Sequence, residues 1–184
     1  MFPFYPNRYI SHALIVLSVI ITLMGSIIPG FFSHFAYVGA GWHFLPIFTM
    51  VSQVILFQFL HGGILHLLLN SYFLYILGPE IEARMSRKYF ISFFLFSTVV
   101  VVGGLTVFAP GQPTVGISGF CMALLAYLWI DLRSINHPLM GQIGILLFLN
   151  IAIGFMPGLN ISLFGHLFGA IAGVAWWYIR KFVT

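Results

Sequence analysis

Charge is what this sequence has least of: three acidic residues and seven lysines and arginines in 184 positions, 5% in all, where a soluble domain carries about 25%. With 61% of its residues apolar and a mean hydropathy of +1.08, the chain cannot assemble a water-facing shell, which excludes an ordinary soluble protein. The net charge of +4 gathers into no patch, because the basic residues stand singly or in small groups at the ends of apolar runs. That distribution argues against a nucleic-acid partner and leaves membrane topology to explain the high pI. The single cysteine, Cys121, excludes an internal disulfide and reads as a small packing residue. Internal repeats and low-complexity stretches are also missing.

What is present is apolar sequence in six runs, about Tyr9 to Ile28, His61 to Leu77, Tyr89 to Phe108, Gly116 to Ile130, Gly141 to Met156 and Gly165 to Phe182. A membrane-crossing helix needs roughly 20 such residues, and the shorter runs suit a thin bilayer. The expectation is an all-α polytopic membrane protein, a six-transmembrane-helix bundle forming one domain over residues 1–184. The first run, behind Arg8 and ahead of a small-residue site near Ala40, has some features of a secretory leader. It is long for one, and the sequence after it is itself membrane-embedded, so it reads as the first span.

Charge placement orients the bundle. Arg8 precedes the first run, Arg84, Arg87 and Lys88 follow the second, Arg133 follows the fourth, and Arg180 and Lys181 end the sixth. All fall on one side, whereas the intervening loops, Pro29 to Leu60, Ala109 to Val115 and Pro157 to Phe164, contain no Lys, Arg, Asp or Glu. Positive-inside logic places both termini in the cytoplasm and these loops outside, as expected for a bacterial inner membrane. The first outer loop carries Phe31, Phe32, Phe35, Tyr37, Trp42 and Phe44, a composition suited to short helices at the lipid headgroups.

So few polar groups are buried that they can be named: His61, His66 and Asn70 in the second run, Ser118 in the fourth, His166 in the sixth. Taken singly, a serine or histidine in a membrane helix ordinarily serves packing. Depth changes the reading. The second, fourth and sixth runs all descend from outside, so Ser118 and His166 start their helices at one level, and His66 and Asn70 share the outer half. Gly165, Gly169 and Gly173 repeat every four residues, and Gly119 with Ala123 forms a second pair of small residues; such stripes let helices approach closely. Glu80, Glu82 and Asp131 all belong to the opposite side, so nucleophilic catalysis here requires a Ser–His dyad with some other group orienting the ring. His66, Asn70 and the Ser118 amide are then candidate donors to an oxyanion.

Gly116-x-Ser118-Gly119, His61-x4-His66-x3-Asn70 and His166-x2-Gly169-x3-Gly173 together resemble the signature set of rhomboid intramembrane proteases. The resemblance extends over roughly Leu60 to Ala175 and includes Gly78-Pro79 and Glu82. It implies a bundle of the rhomboid type, with Ser118 as nucleophile, His166 as general base, and His66, Asn70 and Gly116 around the oxyanion. It further implies His61 as a structural histidine bonded to the first loop, Glu82 as a carboxylate joining the cytoplasmic ends, and no cofactor or metal. Two positions depart from the pattern. Met122 stands where many bacterial members have a tyrosine under the imidazole, and no Trp-Arg pair precedes His61, where Val51, Ser52 and Gln53 stand. Single-span membrane proteins are the implied substrates, with membrane lipid as the surroundings. An inactive, client-binding relative and a His-lined transporter are the alternative readings. The fifth run, with Gly141, Gly144 and Gly154, is the expected mobile wall.

Overall fold

The structure, a computed structural model, describes residues 10–39, 45–156 and 161–183; Arg8, Trp42, Phe44 and Pro157 lie outside the described residues. Among these residues the elements are α1 (Ile10–Ile27), α2 (Phe31–Phe35), α3 (Ile47–Leu56), α4 (Ile64–Ala83), α5 (Arg87–Phe108), α6 (Ser118–Ser134), α7 (Met140–Ala152) with a 3-10 turn at Ile153–Phe155, and α8 (Leu163–Val183). The fold is an all-α bundle. Helices α1, α4, α5, α6, α7 and α8 correspond to the six apolar runs, and α2 and α3 are short helices in the segment between the first two runs. By length and composition α1, α4 and α5 are apolar enough to cross a membrane. Helix α7, at 13 residues, rises only about 20 Å.

Several boundaries differ from those expected. Helix α4 begins at Ile64, so His61 stands ahead of it in a turn whose Gly62-Gly63 pair was the overlooked stop signal. At its other end α4 continues past Leu77 to Ala83 with Pro79 inside it, because a proline is tolerated in membrane helices when neighbours serve the freed backbone groups. Helix α6 starts at Ser118 rather than Gly116 and runs on to Ser134.

The interior is polar where it matters and the exterior is greasy. Val16, Ile20, Leu65, Leu68, Tyr72 and Phe148 are among the large exposed apolar side chains, while Ser11, Thr22, Gln58, His61, Asn70 and Glu82 are buried. A lipid-facing protein is built this way, since hydrocarbon cannot satisfy a polar group. Helix α6 forms the centre, with every residue from Gly119 to Leu128 buried, as a helix apolar on all sides should be. Helix α8 lies directly against it. A Cβ at Gly169 would run into the Gly119 carbonyl and one at Gly173 into the Ala123 carbonyl, so the glycine stripe is what permits this backbone contact.

At the end of the bundle away from Ser118, Glu82 is fully buried. Its carboxylate accepts from the Ile10 and Ser11 amides and the Ser11 hydroxyl, each at 3.2 Å. A helix start leaves four N–H groups without partners, and here a neighbouring helix supplies the anion. Gly78, one turn earlier, faces Ser11 with no room for a Cβ. Nearby, Arg84 bridges Glu80 and Asp131 at 2.5 Å each, and Asp131 also accepts from Trp177 Nε1 at 3.0 Å. Glu82→Ala is expected to cost about 1–3 kcal/mol of stability, the penalty for stripping charge-assisted partners from buried donors. An unchanged midpoint of thermal unfolding in detergent would show that water replaces the carboxylate without loss.

Candidate active site

The site is assembled at the N-terminal ends of α4, α6 and α8. Ser118 is the first residue of α6 and is half-buried, two residues after Gly116, whose φ of 109° lies in the left-handed region that favours glycine. The Gly116 amide donates to the Phe57 carbonyl at 2.9 Å, tying this turn to the segment after α3. Space also demands a glycine. A Cβ at position 116 would lie 2.8 Å from His66 Cε1 and Nε2 and 3.6 Å from Asn70 Nδ2. The polar ends of His66 and Asn70 thus converge on the turn that presents Ser118.

Asn70 is buried, and its Nδ2 makes no hydrogen bond within the protein. An unmet buried donor costs free energy, and this one lies against the Gly116 turn, 3.6 Å from where a Cβ there would stand. The Asn70 carbonyl accepts from Cys121 Sγ at 3.8 Å, which fixes the register of α4 on α6 just below Ser118.

His166 lies in the first turn of α8 and is buried. Gly165 and Gly169 both lie against Gly119, so the residues next to Ser118 and His166 form one helix-helix contact. The ring Nδ1 of His166 is 2.7 Å from the Asn150 carbonyl oxygen on α7. A carbonyl only accepts, so Nδ1 carries the proton and Nε2 keeps its lone pair. Asp131 is thirteen residues down α6, about 20 Å away along the axis, and Glu80 and Glu82 lie at that same far end. Among the described residues no group of three or more His, Cys, Asp or Glu side chains is placed to hold a metal ion.

His61 contacts α1 as well as the loop. Its Nδ1 is 3.2 Å from Thr22 Oγ1, whose hydroxyl donates to the Phe59 carbonyl at 3.0 Å. With that proton committed, His61 Nδ1–H must donate to Thr22. The His61 and His66 rings meet edge-on at 4.9 Å, so the chain Phe59, Thr22, His61 braces the residue that faces Gly116. Met122 is packed in the core one turn below Ser118. Where a Trp-Arg pair was missing, Gln53 Nε2 donates to the His34 carbonyl at 3.1 Å and Tyr37 pairs with Thr114 and bonds Thr106 Oγ1 at 2.5 Å, anchoring the first loop by other means.

The fifth-run glycines serve packing at two of three positions. A Cβ at Gly144 would crowd Trp129 and one at Gly154 the Leu163 backbone, while Gly141 is open. Thr22, Phe59 and Asn150 were not expected at the site. Thr22 looks like any helix hydroxyl, and Phe59 and Asn150 contribute carbonyls that leave no side-chain signal.

Residues 48–181 match the family model described as the rhomboid domain. The chain is also similar to the rhomboid protease GlpG of Yersinia pseudotuberculosis serotype I (strain IP32953), 30% identical over 145 residues that make up 75% of this chain and 50% of that protein. The same-named protein of Yersinia pestis (strain Pestoides F) is 29% identical over the same extents. The chain spans about half the length of the curated relatives it matches.

Proposed function

The chain belongs to the rhomboid family and is an integral membrane protein, and from that premise we propose that it is an intramembrane serine endopeptidase using Ser118 and His166 as a dyad. The observation that carries this reading is the convergence of His66 and the unpaired Asn70 Nδ2 on the Gly116 turn that presents Ser118. The relatives' printed name, rhomboid protease, supports the same activity.

In this mechanism Ser118 Oγ attacks the scissile carbonyl as His166 Nε2 takes the hydroxyl proton. The oxyanion receives the Asn70 amide, the His66 ring and the Ser118 N–H, which lies in the first turn of α6 where amides lack intrahelical partners. His166 returns the proton to the leaving amine, and water then releases the acyl group by the same steps. The substrates are single-span membrane proteins whose helices unwind near the outer face of a bacterial inner membrane, with a small residue at the cleaved position.

Cleavage of a tagged single-span substrate in detergent or liposomes, run beside Ser118→Ala, tests the activity. A preparation in which wild type and Ser118→Ala cleave equally overturns it. Asn70→Ala is expected to lower kcat by about 10-fold to 1000-fold, as loss of one oxyanion donor does, and to leave KM close to its original value; a rise in KM alone would make Asn70 a ground-state binding residue instead.

The orientation has its own test. With both termini cytoplasmic, a cysteine introduced at the exposed Gln112 is labelled from outside intact cells and one at Ser86 is protected. The opposite pattern inverts the topology.

A further inference from the structure

A dyad leaves open what holds the imidazole, because no carboxylate lies at its depth. The geometry points to the C-terminal turn of α7 as the third member of the catalytic apparatus: the Asn150 main-chain carbonyl fixes the tautomer and ring plane of His166 and stabilises the imidazolium that forms on attack. This rests on the Ser–His reading above and adds a positioning residue to it.

Three observations carry the assignment. The His166 Nδ1 to Asn150 oxygen separation of 2.7 Å is short for a neutral pair, and the ring is buried, where such bonds gain strength. Asn150 lies in the last turn of α7 (Met140–Ala152), where carbonyls run out of intrahelical donors and the helix end carries partial negative charge that favours a cation. The Asn150 side chain is occupied elsewhere, its Nδ2 donating to the Leu146 carbonyl at 2.8 Å, so the contact belongs to the backbone. As Ser118 Oγ bonds to the scissile carbon, its O–H bond breaks and the proton goes to His166 Nε2. The positive charge created on the ring then meets the negative end of α7, the part an aspartate plays in a Ser-His-Asp triad.

The anchor sits on the helix expected to move. The carbonyl reaches Nδ1 with α7 seated beside α8.

The test has two arms on the full chain in liposomes. Nitrogen-15 NMR of His166 in the resting protein reads the tautomer without any substrate; the Nδ1–H form is expected, and the Nε2–H form overturns the proposal. In the second arm Ile151 is replaced by its α-hydroxy acid, which turns the carbonyl of residue 150 into a weaker ester acceptor, and the same replacement at Ala152 controls for loss of one helix amide. The first variant is expected to lose about 5-fold to 30-fold in kcat relative to the control, the rate equivalent of a helix-end interaction with a cation, with KM unchanged. Equal rates in the two variants overturn it. If wild type itself cleaves nothing while His166 is still the Nδ1–H tautomer, the protease reading fails and the carbonyl contact stands as a structural one.

Discussion

Ser118→Ala is expected to abolish cleavage, and His166→Ala to do the same, each by on the order of 10⁶-fold in kcat as in other serine nucleophile and base pairs. The size follows from the chemistry. Without Oγ there is no covalent intermediate, and without the imidazole the serine hydroxyl stays protonated and weakly nucleophilic. The serine change should not disturb the fold. Ser118 is only half-buried at a helix start, and the close helix contact beside it is made by the neighbouring glycines. The double variant should be no worse than either single one, since the two act as a unit. A Ser118→Ala protein that retains a tenth of the wild-type rate would remove the nucleophile from the proposal altogether, and a chelator that stops the wild type, with zinc restoring it, would favour metal chemistry.

Gly169→Val is expected to produce the largest loss of stability. A Cβ there meets the carbonyl, carbonyl carbon and Cα of Gly119, and helix backbone cannot swing aside as a flexible side chain would. Overpacking ordinarily costs about 1–3 kcal/mol, and the rigid partner places this substitution at the upper end. The contrasting substitution is Gly103→Ala on α5, where a Cβ meets nothing within 4 Å and the change should stabilise the helix by roughly 0.5–1 kcal/mol. Thermal unfolding of both in detergent checks the pair. Equal midpoints would show that α6 and α8 can separate at no cost and that the stripe is not what holds them.

Most of the framework was legible in the sequence because each feature left a mark of its own. The six apolar runs marked the six long helices, and the repeat at Gly165, Gly169 and Gly173 marked the face α8 turns to α6. Ser118, His66, Asn70 and His166 stood out because a membrane interior leaves polar residues few places to hide. What was illegible has a common physical cause. Thr22 could be expected to bond within its own helix, as Ser18 and Ser26 do to Leu14 and Thr22, and no sequence rule sends it across to Phe59 and His61. Asn150 and Phe59 act through main-chain carbonyls, which every residue possesses. The start of α4 was misplaced because His61 was grouped with His66 by chemistry, although Gly62-Gly63 between them breaks the helix.

The burial of Glu82 against the start of α1 has a consequence for the order in which the protein can be made. The bond from Ile10 to Glu82 joins residues 72 positions apart, and at about 5–20 residues per second of synthesis the first helix precedes its partner by several seconds. During that interval the leading amides of α1 have no carboxylate to meet, so that end must wait at the wet boundary of the bilayer, where water can serve it. Only when α4 is in place does the carboxylate draw the two helices into register. The contact is therefore a late latch on an early helix, and a chain interrupted before residue 82 would hold α1 in the membrane without the partner that fixes its depth.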